Sequence, residues 1–313
     1  MKTISALTAL LLIAGCAHNV SNESSSDAGV DATTDDASSD TGTNVEDAGL
    51  DSGVIDDANS FGTGMYYHGG LTLTSPINVH MIYYGSWPTT STADLIEYFI
   101  NNLGATAYYQ IDQEYYDITD AGQNYPTSSL TVADRWYCGY PYGTFLIDGN
   151  IEVLARDMAS GTPNPNDIYI VLASSDVSEE NAAGQYSGTD FCGWHSPTGD
   201  GSKVVFGSVD LTKDCNVFYP DSGAYPPNGD YVADMMVNIM AHELSESITD
   251  PNLNAWSSVN GEIGDLCAWQ FGYVYYTADG GLANTVVGGK QFLIQQLYDL
   301  QYQACAMHPE YPR

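Results

Sequence analysis

DYVADMMVNIMAHELSESITDP, running from Asp230 to Pro251, is the longest helical pattern in the chain and decides how the rest is read. Asp230 is a residue type that caps helix N-termini, and Pro251 ends the pattern. The spacing therefore predicts a helix over Asp230 to Ile248. Met235, Ile239, His242 and Glu246 recur at i, i+4, i+7 and i+11, which places them on one stripe. That stripe begins apolar and ends with an imidazole and a carboxylate one turn apart. Burying a carboxylate without a partner is costly, so a metal ion or a dense hydrogen-bond set is expected at this point.

Outward from this helix, other elements follow the same logic. Ile77 to Tyr84 reads as a strand bounded by Pro76 and Gly85. Thr92 to Leu103 reads as an amphipathic helix with Leu95, Phe99 and Leu103 on one face and Gly104 after it. Ile151 to Met158 is a second helix. Asp167 to Ser174 is a nearly continuous apolar run, as in a strand covered on both faces. Lys203 to Val209 and Gln291 to Leu297 complete the strands. Helices and strands alternate, which predicts the α/β class: a layered single domain with a mixed sheet over residues 61–313. Neither a repeat nor a second boundary is visible after residue 61.

The chain has 313 residues, with 40 acidic against 7 basic side chains and a formal net charge of -33. Phosphate neutralisation needs clustered Lys and Arg, so a nucleic-acid partner is excluded. The first residues read as an address. Lys2 precedes an apolar stretch from Ala6 to Ala14, too short to span a bilayer. It ends in Leu12-Ile13-Ala14-Gly15-Cys16, which resembles a bacterial lipobox. Residues 1–15 are then a signal peptide, and Cys16 carries the lipid that holds the chain on the cell envelope, facing away from the cytoplasm. Ordinary secretion with nearby cleavage is the alternative. From Ala17 to Ser60 there are eleven acidic residues and no Lys or Arg. Such a composition cannot bury enough apolar area to offset its ordering entropy, so residues 16–60 read as a disordered acidic linker.

The helix carries the chemistry. His242-Glu243-Leu244-Ser245-Glu246 resembles the H-E-x-x-H helix of zinc metallopeptidases, with Glu in place of the second His. Downstream stands Gly261-Glu262-Ile263-Gly264-Asp265-Leu266-Cys267. The resemblance to zincins implies a third ligand from a later Glu and an Asp that orients a ligating His. Glu262 and Asp265 suit those roles, with the division between them open. His195, in Cys192-Gly193-Trp194-His195-Ser196, is a further metal candidate. The expected cofactor is about one zinc per chain. Glu243, beside His242, is the expected general base for hydrolysis of a peptide or related carbonyl bond. A buried acid–histidine network without catalysis, or a structural metal, is the plain alternative.

An envelope location permits disulfides. With Cys16 given to lipid, Cys192–Cys215 and Cys267–Cys305 are the expected pairs and Cys138 is left free, although sequence does not fix connectivity. Trp87, Trp136, Trp194, Trp256 and Trp269 motivate a second class of function, a non-catalytic module that binds a cell-wall polysaccharide through exposed aromatic rings.

Several blocks together resemble one family. Tyr67-His68-Gly69-Gly70, Leu73-Thr74-Ser75-Pro76-Ile77-Asn78-Val79, Ile82-Tyr83-Tyr84-Gly85-Ser86-Trp87, Val171-Leu172-Ala173-Ser174-Ser175-Asp176-Val177, the His195 and His242 blocks, Asn254-Ala255-Trp256 and the Glu262 block are similar to the Exordium, or phosphate-induced protein, family. The likeness runs from about residue 66 to the C-terminus. It implies an exported chain and no particular reaction. The lipobox and acidic spacer depart from the plant pattern and suggest a bacterial relative.

Overall fold

The computed structural model describes residues 16–19, 64–159, 163–209, 214–218 and 223–309. The expected signal peptide and almost all of the expected acidic linker lie outside the described residues. Within them, no helix is long and apolar enough to cross a membrane.

The centre is a six-stranded sheet built from β1 (Cys16–Asn19), β2 (Ile77–Tyr84), β3 (Leu130–Cys138), β4 (Asp167–Ala173), β5 (Gly193–Pro197) and β6 (Lys203–Ser208), in the order β1–β3–β2–β4–β6–β5. The four middle strands are parallel, and β1 and β5 add antiparallel edges. Parallel neighbours need crossovers. Helix α1 (Thr90–Leu103) lies between β2 and β3 in sequence, and α2 (Asp148–Met158) between β3 and β4. The mixed α/β architecture is the expected class.

Strand side chains alternate between faces, and the two faces have separate cores. Val79, Met81, Tyr83, Ile168, Ile170, Leu172 and Val205 pack with α1 and α3 (Tyr231–Thr249). Ile82, Tyr84, Tyr169, Val171 and Phe206 pack with Ile151 and Leu154 of α2. Each fully buried aliphatic side chain contributes about 1.5–3 kcal/mol, so a sheet clad on both faces is stabilised along its whole length.

Helix α3 starts where Asp230 accepts the Val232 and Ala233 amides at 3.1 and 3.0 Å. The Thr92 hydroxyl donates to the other Asp230 oxygen at 2.7 Å, which ties the starts of α1 and α3 together. Beyond the expected stripe, nearly the whole helix is buried, because the sheet, α1 and the turn Asp112–Glu114 pack against it and the Gln295 amide donates to Asn238. Gly193 and Gly207 are register partners on β5 and β6. A Cβ at Gly207 would stand 2.8 Å from Met240, and one at Gly193 2.8 Å from Ile239 and from a Glu243 oxygen. These glycines let α3 settle closely on the sheet edge.

Four expectations change. Leu95 is only partly buried; α1 turns Ile96, Phe99, Ile100 and Leu103 inward. Gln291 to Leu297 is not one strand but parts of two hairpins, one formed by Thr285–Val287 with Lys290–Phe292 and the other by Leu297–Asp299 with Ala304–Ala306. Between them the Ile294 and Gln295 amides donate to the side chains of Asn284 and Asn238 instead of a ladder. Strand β3 is absent from the sequence reading because Asp134 and Arg135 interrupt its apolar pattern; Arg135 is taken up by Asp94 and Glu97 of α1. Finally, the Cys192–Cys215 and Cys267–Cys305 bonds form as expected, but Cys138 is not free: it is bonded to Cys16 across β1 and β3. A sulfur in a disulfide carries no thioether, so this bond and a lipid on Cys16 exclude each other.

Candidate metal centre

Three parts of the chain meet at the C-terminal half of α3. Strand β5 brings His195, because Gly193 and His195 share the face toward α3 while Trp194 turns to the other face and packs against Phe206. The helix brings His242, Glu243 and Glu246. The loop 258–267 brings Glu262 and Asp265. Disulfides stand beside both non-helical parts, with Cys192 three residues before His195 and Cys267 two after Asp265. Closing loops of 23 and 38 residues restricts the unfolded chain by roughly 3–4 kcal/mol each on the chain-entropy account.

The contacts centre on Glu246. Its Oε1 stands 3.1 Å from His242 Nε2, one turn back, and its Oε2 stands 3.8 Å from His195 Nε2. His195 Nε2 is 2.7 Å from Glu262 Oε2, and His242 Nε2 is 3.5 Å from Asp265 Oδ1. The loop holds its own acids in place. The Glu262 amide donates to Asp265 Oδ2 at 3.1 Å, and the Asp265 amide donates to Glu246 Oε1 at 3.1 Å. The side chains of His195 and Glu246 are 5% and 4% exposed, whereas that of Asp265 is 47% exposed, so the cluster opens to solvent on the Asp265 side.

Charge is concentrated here. Burial pushes Glu243 and Glu262 up to about 8. For His195, burial pulls downward, but the Glu262 hydrogen bond and the surrounding carboxylates prevail and raise it to about 9. His242 follows the same balance and rises well above the ordinary imidazole value. The hydrogen bond from His242 holds Asp265 below the usual carboxylate range. Among the described residues, the ion pairs of Glu246, Glu262 and Asp265 go only to these two histidines.

This donor set fits a divalent ion of the zinc class, which takes imidazole nitrogen and carboxylate oxygen. Glu262 Oε1 is buried and has no hydrogen-bond donor among the described residues, as expected of an oxygen suited to a cation. The structure brings all five sequence-derived ligand candidates together, in two sets. His195, Glu246 and Glu262 form one and His242, Glu246 and Asp265 the other, with one ligand atom per residue within 4.8 Å of the rest of its set. Glu262 faces His195, and Asp265 faces His242. Glu243 lies against Gly193, between α3 and β5.

Two features were not visible in the sequence. A Cβ at Gly264 would lie 2.8 Å from the His242 ring, so this glycine is what lets the loop rest on the imidazole. Its only sequence signal is its place between Glu262 and Asp265. Asp112, in the short turn Asp112–Glu114 against α3, is fully buried, and burial pushes it up to about 7. Of the five tryptophans only Trp269 is exposed. Trp256 fills a core among Tyr67, Tyr115 and Tyr116, which is packing, not a sugar platform.

Residues 65–308 match the family described as phosphate-induced protein 1 conserved region. Three proteins of Arabidopsis thaliana are similar. Protein EXORDIUM-like 5 is 27% identical over 292 residues, covering 77% of this chain and 76% of its own length. Protein EXORDIUM-like 3 is 28% identical over 251 residues, covering 69% and 70%. Protein EXORDIUM is 26% identical over 287 residues, covering 77% and 88%. No solved structure matches the chain.

Proposed function

The chain belongs to the phosphate-induced protein 1, or Exordium, family, and from that premise we propose that it is an exported metal-dependent hydrolase acting on a peptide or related carbonyl bond. The observation that carries the reading is the convergence of two imidazoles and three carboxylates, in two adjoining sets that share Glu246, with no Lys or Arg paired to those carboxylates among the described residues. When bound, a zinc-class ion supplies Lewis-acid polarisation and lowers the pKa of water from about 15.7 towards about 7.

The chain's own residues supply the rest. His195, His242 and Glu246 would hold the ion, with Glu262 and Asp265 completing the set. Glu243 is the candidate base. Its carboxylate is buried and its pKa, pushed up to about 8, lies near the pH at which a base must both take and return a proton. The Asp265 amide fixes one Glu246 oxygen, and Gly264 leaves the His242 ring its position. Substrate would enter on the exposed Asp265 side.

Export is supported by the signal-like first residues and by six cysteines that are all paired, as in an oxidising compartment. A lipid anchor at Cys16 and the Cys16–Cys138 bond are alternative fates of one sulfur, so anchoring belongs to chains in which that bond has not formed. Elemental analysis of the native chain tests the function directly. The expected result is tightly held zinc-class metal, removed by chelation together with hydrolysis of an unbiased peptide library. A chain purified without chelators that holds no metal removes the enzyme reading.

A further inference from the structure

Building on the metal-centre reading, we propose that the site holds two divalent ions bridged by the Glu246 carboxylate. Glu246 aims its two oxygens at different partners, Oε1 at His242 and Oε2 at His195. Each histidine brings its own second carboxylate, Asp265 for His242 and Glu262 for His195. The two sets are therefore alike in composition, one imidazole nitrogen and two carboxylate oxygens, and they share only Glu246. A single ion held by one set would leave the other histidine and acid paired only with each other and with Glu246. Three protein ligands per ion leave open positions, as catalytic rather than structural sites do.

Charge points the same way. Glu243, Glu246, Glu262 and Asp265 carry four negative charges when ionised, and the histidines carry none when they serve as ligands. Among the described cations, Arg135 is bound to Asp94 and Glu97, Lys203 to the Gly201 carbonyl, Lys290 lies over the Tyr98 ring, and Arg156 is exposed on α2 and acts on Asp200. One divalent ion would offset only two of these four charges, and an ionised buried carboxylate left unmatched carries a large desolvation penalty; two ions neutralise the set. Paired ions about 3.5–4 Å apart are the arrangement that clamps both the attacking and leaving oxygens of a displacement.

The test is stoichiometry, read without activity. The full chain is loaded with zinc, passed through desalting against a weak chelator, and measured by elemental analysis. Metal on the His195→Ala/His242→Ala double variant is subtracted, which cancels ions held by other acids. Circular dichroism confirms that each variant is folded. The expected counts are two ions for the wild type, one for His195→Ala and one for His242→Ala. Isothermal titration of the wild type should show two steps, so the result does not depend on a variant folding. One ion in the wild type, lost in either single variant, overturns the paired site and leaves a one-metal hydrolase. No retained ion overturns both.

Discussion

The Asp265 backbone N–H donates to Glu246 Oε1 at 3.1 Å across 19 residues of sequence. That bond joins a loop to a helix at the carboxylate the two histidines share. It orients Glu246 so that its other oxygen turns toward His195, and it fixes where the loop must run. Gly264, next in chain to Asp265, has ordinary helical-region dihedrals, so its role is one of space, not backbone freedom.

Gly264→Ala should therefore damage the centre without removing a ligand. The added methyl would sit 2.8–2.9 Å from three atoms of the His242 ring. Overpacking of this kind costs about 1–3 kcal/mol, and relief must come from the imidazole or the loop. Metal affinity should fall about tenfold or more, with far-ultraviolet circular dichroism unchanged. Gly199→Ala, where a Cβ meets nothing within 4 Å, is the control and should be neutral. Equal metal affinity in both variants would show that the loop does not position His242.

Glu243→Gln separates binding from chemistry. The amide keeps the size of the side chain and its place beside Gly193 but cannot accept a proton from water. Metal content should match the wild type, while turnover falls about 10²–10⁴-fold, the usual share of a general base. Full activity in Glu243→Gln would assign the proton transfer elsewhere.

Much of this centre was legible because its signals are local. His242 and Glu246 lie one turn apart, and an acid-bearing loop follows within 23 residues of His242, so spacing alone could group them. The long apolar runs of β2 and β4 were equally plain, since strands buried on both faces need no alternation. What failed depends on partners distant in sequence. Strand β3 hides charges that α1 neutralises, 38 and 41 residues away. The split of 291–297 depends on Asn238 and Asn284, side chains that accept amides no sequence pattern assigns. The grouping of ligands into two sets came from the register of β5, which no spacing along one strand reveals.

Asp112 should impose a pH dependence on stability. Burial raises its pKa from 3.8 to about 7. The folded state therefore holds the proton more tightly than the unfolded chain. The sign follows: this contribution is complete below about pH 4 and is lost as pH rises through 7. A shift of this size corresponds to at most about 4 kcal/mol. Asp112→Asn cannot ionise, so its denaturant midpoint, taken relative to that of the wild type, should be lower at pH 5 than at pH 8. The other titrating groups are common to both proteins and cancel. Parallel curves across pH 5 to 8 would show that Asp112 does not titrate in that window.

Cys16 and Cys138 make the remaining prediction. They face each other as register partners on β1 and β3, 122 residues apart in sequence. On the chain-entropy account, closing a loop of that length contributes about 5 kcal/mol. Exported protein carrying the bond should show no free thiol under denaturing, non-reducing conditions. Cys138→Ser should then expose one thiol, assigned to Cys16 by peptide mapping, and lower the thermal midpoint. Lipid attachment gives the opposite pattern. The Cys138 thiol would titrate in the wild type, the Cys16 peptide would carry the mass of acyl chains, and the chain would partition into detergent. Because one sulfur cannot serve both bonds, a single preparation yielding a free Cys138 thiol and an acylated Cys16 peptide would remove β1 from the sheet's covalent framework and leave the other two disulfides to brace the centre.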